Sequence, residues 1–235
     1  MAQTVLLAIE ATGTVSGIAL TRDGALLGSV HLAHGMNLSG NLLHATEWLL
    51  ERQRLQLVQV DAIAVDIGPG AFTALKIGVT MAKMWAHALN KPLIAVSAFE
   101  ACAAETAEGV PTLVALPARR DALYLQWLLP MPDAVPNPLC EPAFVVQGEV
   151  ESWLVQHTPQ AEPLQAIGVE RARLWIAPHL TKAHWRRIES PLPEGVAHVA
   201  WRRWQQKEFV HPFSLTPLYI QPPSIDPSVS FNPHH

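Results

Sequence analysis

The sequence predicts an α/β fold in which a mixed sheet is covered by helices and a second, smaller lobe follows. Three observations lead there: an opening series of apolar runs joined by short turns, an alternation of helical and strand patterns from Asn41 to Ala107, and a restart of the strand pattern after Glu108-Gly109-Val110-Pro111.

Val5-Leu6-Leu7-Ala8-Ile9 is a continuous apolar run ending at Glu10-Ala11-Thr12-Gly13, and Ser16 to Leu20 starts a second. A turn at Asp23-Gly24 leads into a third run, Leu26 to Leu32, so three strands in hairpin connection are expected. Helical spacing takes over from Asn41 to Gln53, Asp61 to Val65 reads as a short buried strand, and Gly68-Pro69-Gly70 as a turn. Thr73 to Leu89 is the longest helical stretch and stops at Asn90-Lys91-Pro92. Leu93 to Val96 is a strand, and Ser97 caps a helix over Ala98 to Ala107. These elements define a first lobe over 1–108. Beyond it, Thr112 to Leu116, Leu123 to Leu129 and Leu164 to Val169 read as strands, and Glu149 to Gln156 and Val196 to Gln206 as helices, giving a second lobe over 109–221. Residues 222–235 have the proline and serine content of a disordered tail.

At 49% hydrophobic and 15% charged residues the chain can bury a sizeable core. A net charge of -4 argues against gripping phosphate backbone over a broad face. Cys102 and Cys140 are the only cysteines, too few for a disulfide framework or a cysteine-built zinc site. The N-terminus lacks the basic segment of a signal peptide, and no stretch reaches the ~20 apolar residues of a membrane span. A soluble, cytoplasmic protein without membrane contact is expected.

Three segments carry a family pattern: Leu6 to Thr12; Asp61 to Val65 running into Gly68-Pro69-Gly70-Ala71-Phe72-Thr73-Ala74-Leu75-Lys76-Ile77-Gly78; and Pro92 to Ser97 with Glu100-Ala101. Weaker echoes follow at Ala115 to Tyr124 and Pro217 to Ile220. Together they resemble the bacterial TsaB family, whose central motif reads Gly-Pro-Gly-Ser-Phe-Thr-Gly-Leu-Arg-Ile-Gly. The sequence departs from that pattern where Glu10 replaces aspartate, Ala71 serine, Ala74 glycine and Pro117 aspartate, and where Leu38-Ser39 stands for His-Ser, with His34 four residues too early. The resemblance implies a two-lobed fold of the actin/hexokinase (ASKHA, ribonuclease-H-like) type. It also implies a non-catalytic subunit of the tRNA threonylcarbamoyladenosine (t6A) modification complex, which binds and stabilises the transferase TsaD, with TsaE as an ATPase accessory reached through the complex. A homodimer is expected when TsaD is absent, and any tRNA contact is indirect.

The residues themselves argue against catalysis. A kinase or ATPase of this fold needs metal-holding carboxylates and glycine-rich turns whose N–H groups cradle phosphates. Glu10, Thr12, Gly68 and Gly70 are a vestigial nucleotide site on this reading, and Pro117 removes a backbone donor from the other lobe's phosphate segment. The alternative is a small-molecule kinase or hydrolase using the interlobe cleft, with Glu10 or Asp66 acting on a metal. His31 and His34 lack a third ligand nearby and His44 lacks a histidine at i+4, so no metal site, no cofactor and no catalytic residue is assigned. Trp185-Arg186-Arg187 and Trp201-Arg202-Arg203-Trp204 read first as helix surfaces with buried tryptophans, and secondarily as base-stacking clusters.

The two long helices own more apolar surface than one sheet can cover. In Thr73 to Leu89 the polar stripe Lys76, Thr80, Lys83 and His87 is narrow, and Leu75, Val79, Ala82, Ala86 and Leu89 suffice for the chain's own sheet. Leu42, Leu43, Trp48, Leu49, Ile77, Gly78, Met81, Met84 and Trp85 are therefore assigned to a partner surface, with Gly78 and Ala82 permitting close helix approach. The resemblance agrees, since the TsaB family docks on TsaD through these two helices.

Overall fold

The computed structural model describes residues 3–33 and 37–220. Its first sheet has five strands: β1 (Val5–Glu10), β2 (Val15–Arg22), β3 (Ala25–Ala33), β4 (Ala62–Asp66) and β5 (Leu93–Val96), in the order β3-β2-β1-β4-β5. The first three pair antiparallel, and β4 and β5 run parallel to β1. All six residues of β1 are buried, which is why it reads as an unbroken apolar run rather than an alternating one. Leu7, Ile9, Ile63 and Val65 face helices α1 (Leu38–Arg52) and α2 (Phe72–Ala88). The opposite face is built largely of small residues, Ala8, Ala19, Ala62 and Ala64.

The second sheet contains β6 (Thr112–Pro117), β7 (Ala122–Leu129), β8 (Asn137–Pro138), β9 (Ala143–Val146), β10 (Gln165–Gly168) and β11 (His184–Arg187). Its order is β11-β10-β6-β7, with β8 and β9 pairing successive parts of β7. β6 and β7 are antiparallel, and β10 and β11 parallel to β6, so the first sheet's topology recurs with its third strand split in two. Two such units, one repeating the other, are the mixed sheets of a two-lobed ASKHA fold. Helices α4 (Val150–His157) and α5 (Glu170–Ile176) cover the second sheet around Trp127.

The expected elements of the first lobe are present within a few residues. Ser97 caps α3 (Ala98–Ala103), its Oγ accepting the Glu100 N–H at 3.2 Å while Glu100 Oε2 accepts the Ser97 N–H at 2.9 Å. The helix ends four residues earlier than expected, and Thr106 Oγ donates to the Ala103 carbonyl at 2.7 Å. In the second lobe β9, α5 and β11 escape the periodicity because they are short. Trp185-Arg186-Arg187 lies on the edge strand β11, not on a helix.

The lobe boundary needs correction at its far end. Helix α6 (Pro193–Gln206) returns to the first sheet, where Val196, Val199 and Ala200 pack on its small-residue face. Residues 209–220 also return: the Val210 N–H donates to the Leu93 carbonyl at 2.9 Å and the Leu218 N–H to the Ile67 carbonyl at 2.7 Å. The second lobe therefore ends near β11, and the tail expected over 222–235 lies outside the described residues. The seating of α6 is tight: a Cβ on Gly195 would stand 2.2 Å from the Ala101 carbonyl oxygen of α3. Gly195→Ala is expected to cost about 2–3 kcal/mol of stability in urea unfolding, because the obstruction is backbone and cannot rotate away. An unchanged midpoint would contradict that packing.

Candidate functional site

Glu10 and Asp66 end the adjacent parallel strands β1 and β4, at the carboxyl edge where open α/β sheets place their ligands. Both are essentially fully buried. The Thr12 N–H and hydroxyl each donate to Glu10 Oε1 at 2.6 Å, the same hydroxyl lies 3.4 Å from Asp66 Oδ2, and the Gly68 N–H donates to Asp66 Oδ1 at 2.7 Å. Glu10 Oε2 is buried without a hydrogen-bond partner. Burial pushes the Glu10 carboxyl up to about 7, against the opposing pull of the Thr12 hydrogen bonds. Burial also raises Asp66, and the Glu10 charge beside it raises it further. Two like charges so close in a dry site are costly, so the pair keeps a proton at neutral pH.

The surrounding turns are turned on each other. The Ala71 N–H donates to the Thr12 carbonyl at 2.7 Å, and a Cβ on Gly70 would lie 2.3 Å from that oxygen. Gly68 sits at φ +99°, where a side chain is strained, and spends its N–H on Asp66. From the other side Ser190 enters the cleft. Its Oγ donates to the Val15 carbonyl at 2.9 Å and occupies the space a Cβ on Gly13 would need, 1.7 Å away. The free volume left among Thr12, Gly13, Gly70, Pro117 and Ser190 is about 10 Å³, far below the ~300 Å³ and upward of a small-molecule pocket. Glu10, Thr12, Gly68 and Gly70 are thus brought together, but as a packed contact between lobes. Ser190 was not singled out from the sequence, since a serine in a proline-rich linker carries no pattern.

The other singled-out groups are occupied or isolated. His31 Nε2 pairs with Glu194 at 2.8 Å, His44 lies beside Glu47 on the surface of α1, and His34 falls outside the described residues. Among the described residues no three His, Cys, Asp or Glu side chains form a metal-holding cluster. Burial raises the thiols of Cys102 and Cys140, the reverse of what a nucleophile needs.

On the far side of the first sheet, α1 and α2 lie next to each other over one apolar core. Four residues assigned to a partner surface belong to that core instead: Leu42, Leu49, Gly78 and Met81 are buried within the chain. A Cβ on Gly78 would meet the Ala11 Cβ at 2.8 Å, so the glycine seats α2 on the end of β1, and Ala82 is likewise internal. Leu43, Trp48 and Met84 are exposed, at 40%, 50% and 58% of their surface, and Ile77 and Trp85 are half-buried. A shallow groove of about 290 Å³ runs between Ser39 of α1 and Lys76, Ile77, Thr80 and Met84 of α2. Phe72, Phe213 and Tyr219, none of them assigned from the sequence, are exposed on the same helix and the segment beside it. The helical period located the outward faces of α1 and α2 but not their limits, which are set by how deeply each helix sits on the twisted sheet.

A family model described as TsaD, tRNA N6-adenosine threonylcarbamoyltransferase, matches residues 34–148. An uncharacterized protein of Mycobacterium tuberculosis is 29% identical over 236 residues, covering 95% of this chain and 94% of that protein. The tRNA threonylcarbamoyladenosine biosynthesis protein TsaB of Bacillus subtilis is 34% identical over 99 residues, 42% of this chain and 43% of that protein. Among solved structures, YeaZ from Pseudomonas aeruginosa superposes with a TM-score of 0.77 at 23% identity, covering 92% of this chain and 99% of that one. The class is therefore a protein of two-lobed ASKHA-type fold whose lobes close over the Glu10 and Asp66 site. Within that class the chain is similar to TsaB-type and YeaZ-type proteins.

Proposed function

We propose that this chain is a non-catalytic subunit of the t6A modification machinery that binds and stabilises a TsaD-type transferase through the outer faces of α1 and α2. The observation that carries this is the pairing of a filled site at Thr12, Gly70 and Ser190 with exposed Leu43, Trp48 and Met84 on neighbouring helices. Large apolar side chains rimmed by polar ones on adjacent helices are the make-up of an interface rather than of a solvated surface. The kinship to TsaB supplies the pathway. A TsaE-type ATPase joins only through the transferase, tRNA contact is indirect, and in the absence of the transferase the same apolar face pairs two copies of this chain. No helix among the described residues is long and apolar enough to cross a membrane. The proposed tRNA-modifying role places the chain's work in the cytoplasm.

Mixing the chain with the TsaD-type protein of its own organism and measuring mass by light scattering tests this. A one-to-one complex is expected, with no heat released when ATP is titrated into the chain alone. Two separate species in the mixture, or micromolar ATP binding by the lone chain, would favour a kinase or hydrolase working at Glu10 and Asp66.

A further inference from the structure

The docking face has a third element that neither helix supplies. Residues 209–220 run antiparallel beside α2 along its whole length: the Phe213 ring meets His87 at 4.9 Å, the Lys83 Nζ donates to the Leu215 carbonyl at 3.0 Å, and the Tyr219 ring meets Phe72 at 5.7 Å. Leu215 is buried in the first lobe's core and anchors this strap, while Phe213 and Tyr219 remain 70% and 43% exposed. The groove against Ser39 of α1 borders α2 on its other flank. The outward ridge of α2 therefore lies between α1 and the strap, with large exposed side chains on all three.

The charge on the α2 and strap part of this surface is one-sided, whereas α1 carries the exposed Glu47, beside His44, and Glu51. The chain as a whole is negative, at -4, yet residues 67–99 and 209–220 contain no aspartate or glutamate, while α2 carries Lys76, Lys83 and His87. Lys76 is exposed and rests over the Phe72 ring at 4.0 Å. Carboxylates delivered to α2 and the strap meet cations and no like charge from those two segments, which favours an acidic surface there over a neutral or basic one.

We infer that the strap 209–220 is part of the docking face and that α2 and the strap take a surface of the TsaD-type partner bearing carboxylates. This rests on the docking function proposed above. Phe213→Ala and Tyr219→Ala, each expected to leave the urea midpoint unchanged, are compared with Met84→Glu by calorimetry against the TsaD-type protein. Each strap variant is expected to weaken binding about 5- to 30-fold, as removal of an interface aromatic typically does. Lys76→Glu and a rise from 50 to 500 mM salt are each expected to weaken it about 10-fold or more. Wild-type strength in both strap variants beside a broken Met84→Glu complex would overturn the strap's part and leave the two-helix docking intact. Salt-independent binding would overturn the acidic partner surface. If Met84→Glu also binds normally, the docking face lies elsewhere and both ideas fall together. A strap variant that loosens only the association of two copies would assign the strap to the homodimer and overturn the heterologous partner.

Discussion

Met84→Glu is expected to abolish the complex with the TsaD-type partner, raising Kd more than about 100-fold, while the chain itself stays folded. The side chain lies beside the α1–α2 groove and is 58% exposed, so in the lone chain a carboxylate there remains hydrated. Exposed substitutions of this kind usually change stability by no more than ~0.5 kcal/mol. At an apolar interface the same carboxylate must shed its water, and an unpaired buried charge costs roughly 3–5 kcal/mol. Met81 cannot serve the same purpose. It is only 9% exposed and sits in the first lobe's core, so Met81→Glu would unfold the lobe and the lost complex would say nothing about contact. Trp48→Asp is the companion on α1, with its ring half exposed and covered on one side by the Arg52 guanidinium at 5.3 Å. Calorimetry for affinity, with urea unfolding as the control, reads both.

Glu10→Gln is expected to stabilise the chain at alkaline pH and to leave it nearly unchanged at pH 5. Burial raises the Glu10 carboxyl from its ordinary 4.5 to about 7 in the folded chain, so the folded state holds the proton more tightly than the unfolded one. A raised carboxyl contributes stability that is complete below pH 4.5 and is lost as pH climbs through 7. Glutamine keeps an oxygen for the Thr12 N–H and hydroxyl without ever ionising. Above pH 8 the variant should exceed the wild type by on the order of 2–3 kcal/mol. Some pH dependence survives in the variant, because Asp66 is raised by its own burial first and by Glu10 second. Urea unfolding at pH 5, 7 and 8.5 checks the pattern. Parallel curves for the two proteins would mean that Glu10 is ionised and solvated in the folded state, and hence that the cleft opens.

The sequence carried the first lobe because each element there has a long or sharply bounded pattern: an unbroken buried β1, a 17-residue α2, and a Ser97–Glu100 capping box. It did not carry the return of α6, since an apolar stripe such as Val196, Val199 and Ala200 names no sheet. The face it packs on is marked by alanines at 8, 19, 62 and 64 among Leu6, Ile94 and Val96, and alanine does not distinguish a strand from a helix. The cleft was legible as a set of residues but not as a filled space. Ser190 closes it from a linker 175 residues away from Val15 in sequence, and nothing local to either residue announces the meeting. On the docking helices, the helical period gave the direction of the outward face, while the seating of each helix on the sheet left Leu42, Leu49 and Met81 in the core and Leu43, Trp48 and Met84 at the surface. The strap was invisible because Phe213 and Tyr219 stand in a proline-spaced segment with no period.

Hydrogen exchange of the chain with and without the TsaD-type partner addresses the outward face of α1 and α2 most directly. Slowed exchange is expected in residues 38–52 and 72–88, extending into 209–220, with α4 and α5 of the second lobe exchanging as they do in the free chain. Protection centred on 150–176, or on the Thr12–Ser190 contact between lobes, would contradict docking through the two helices.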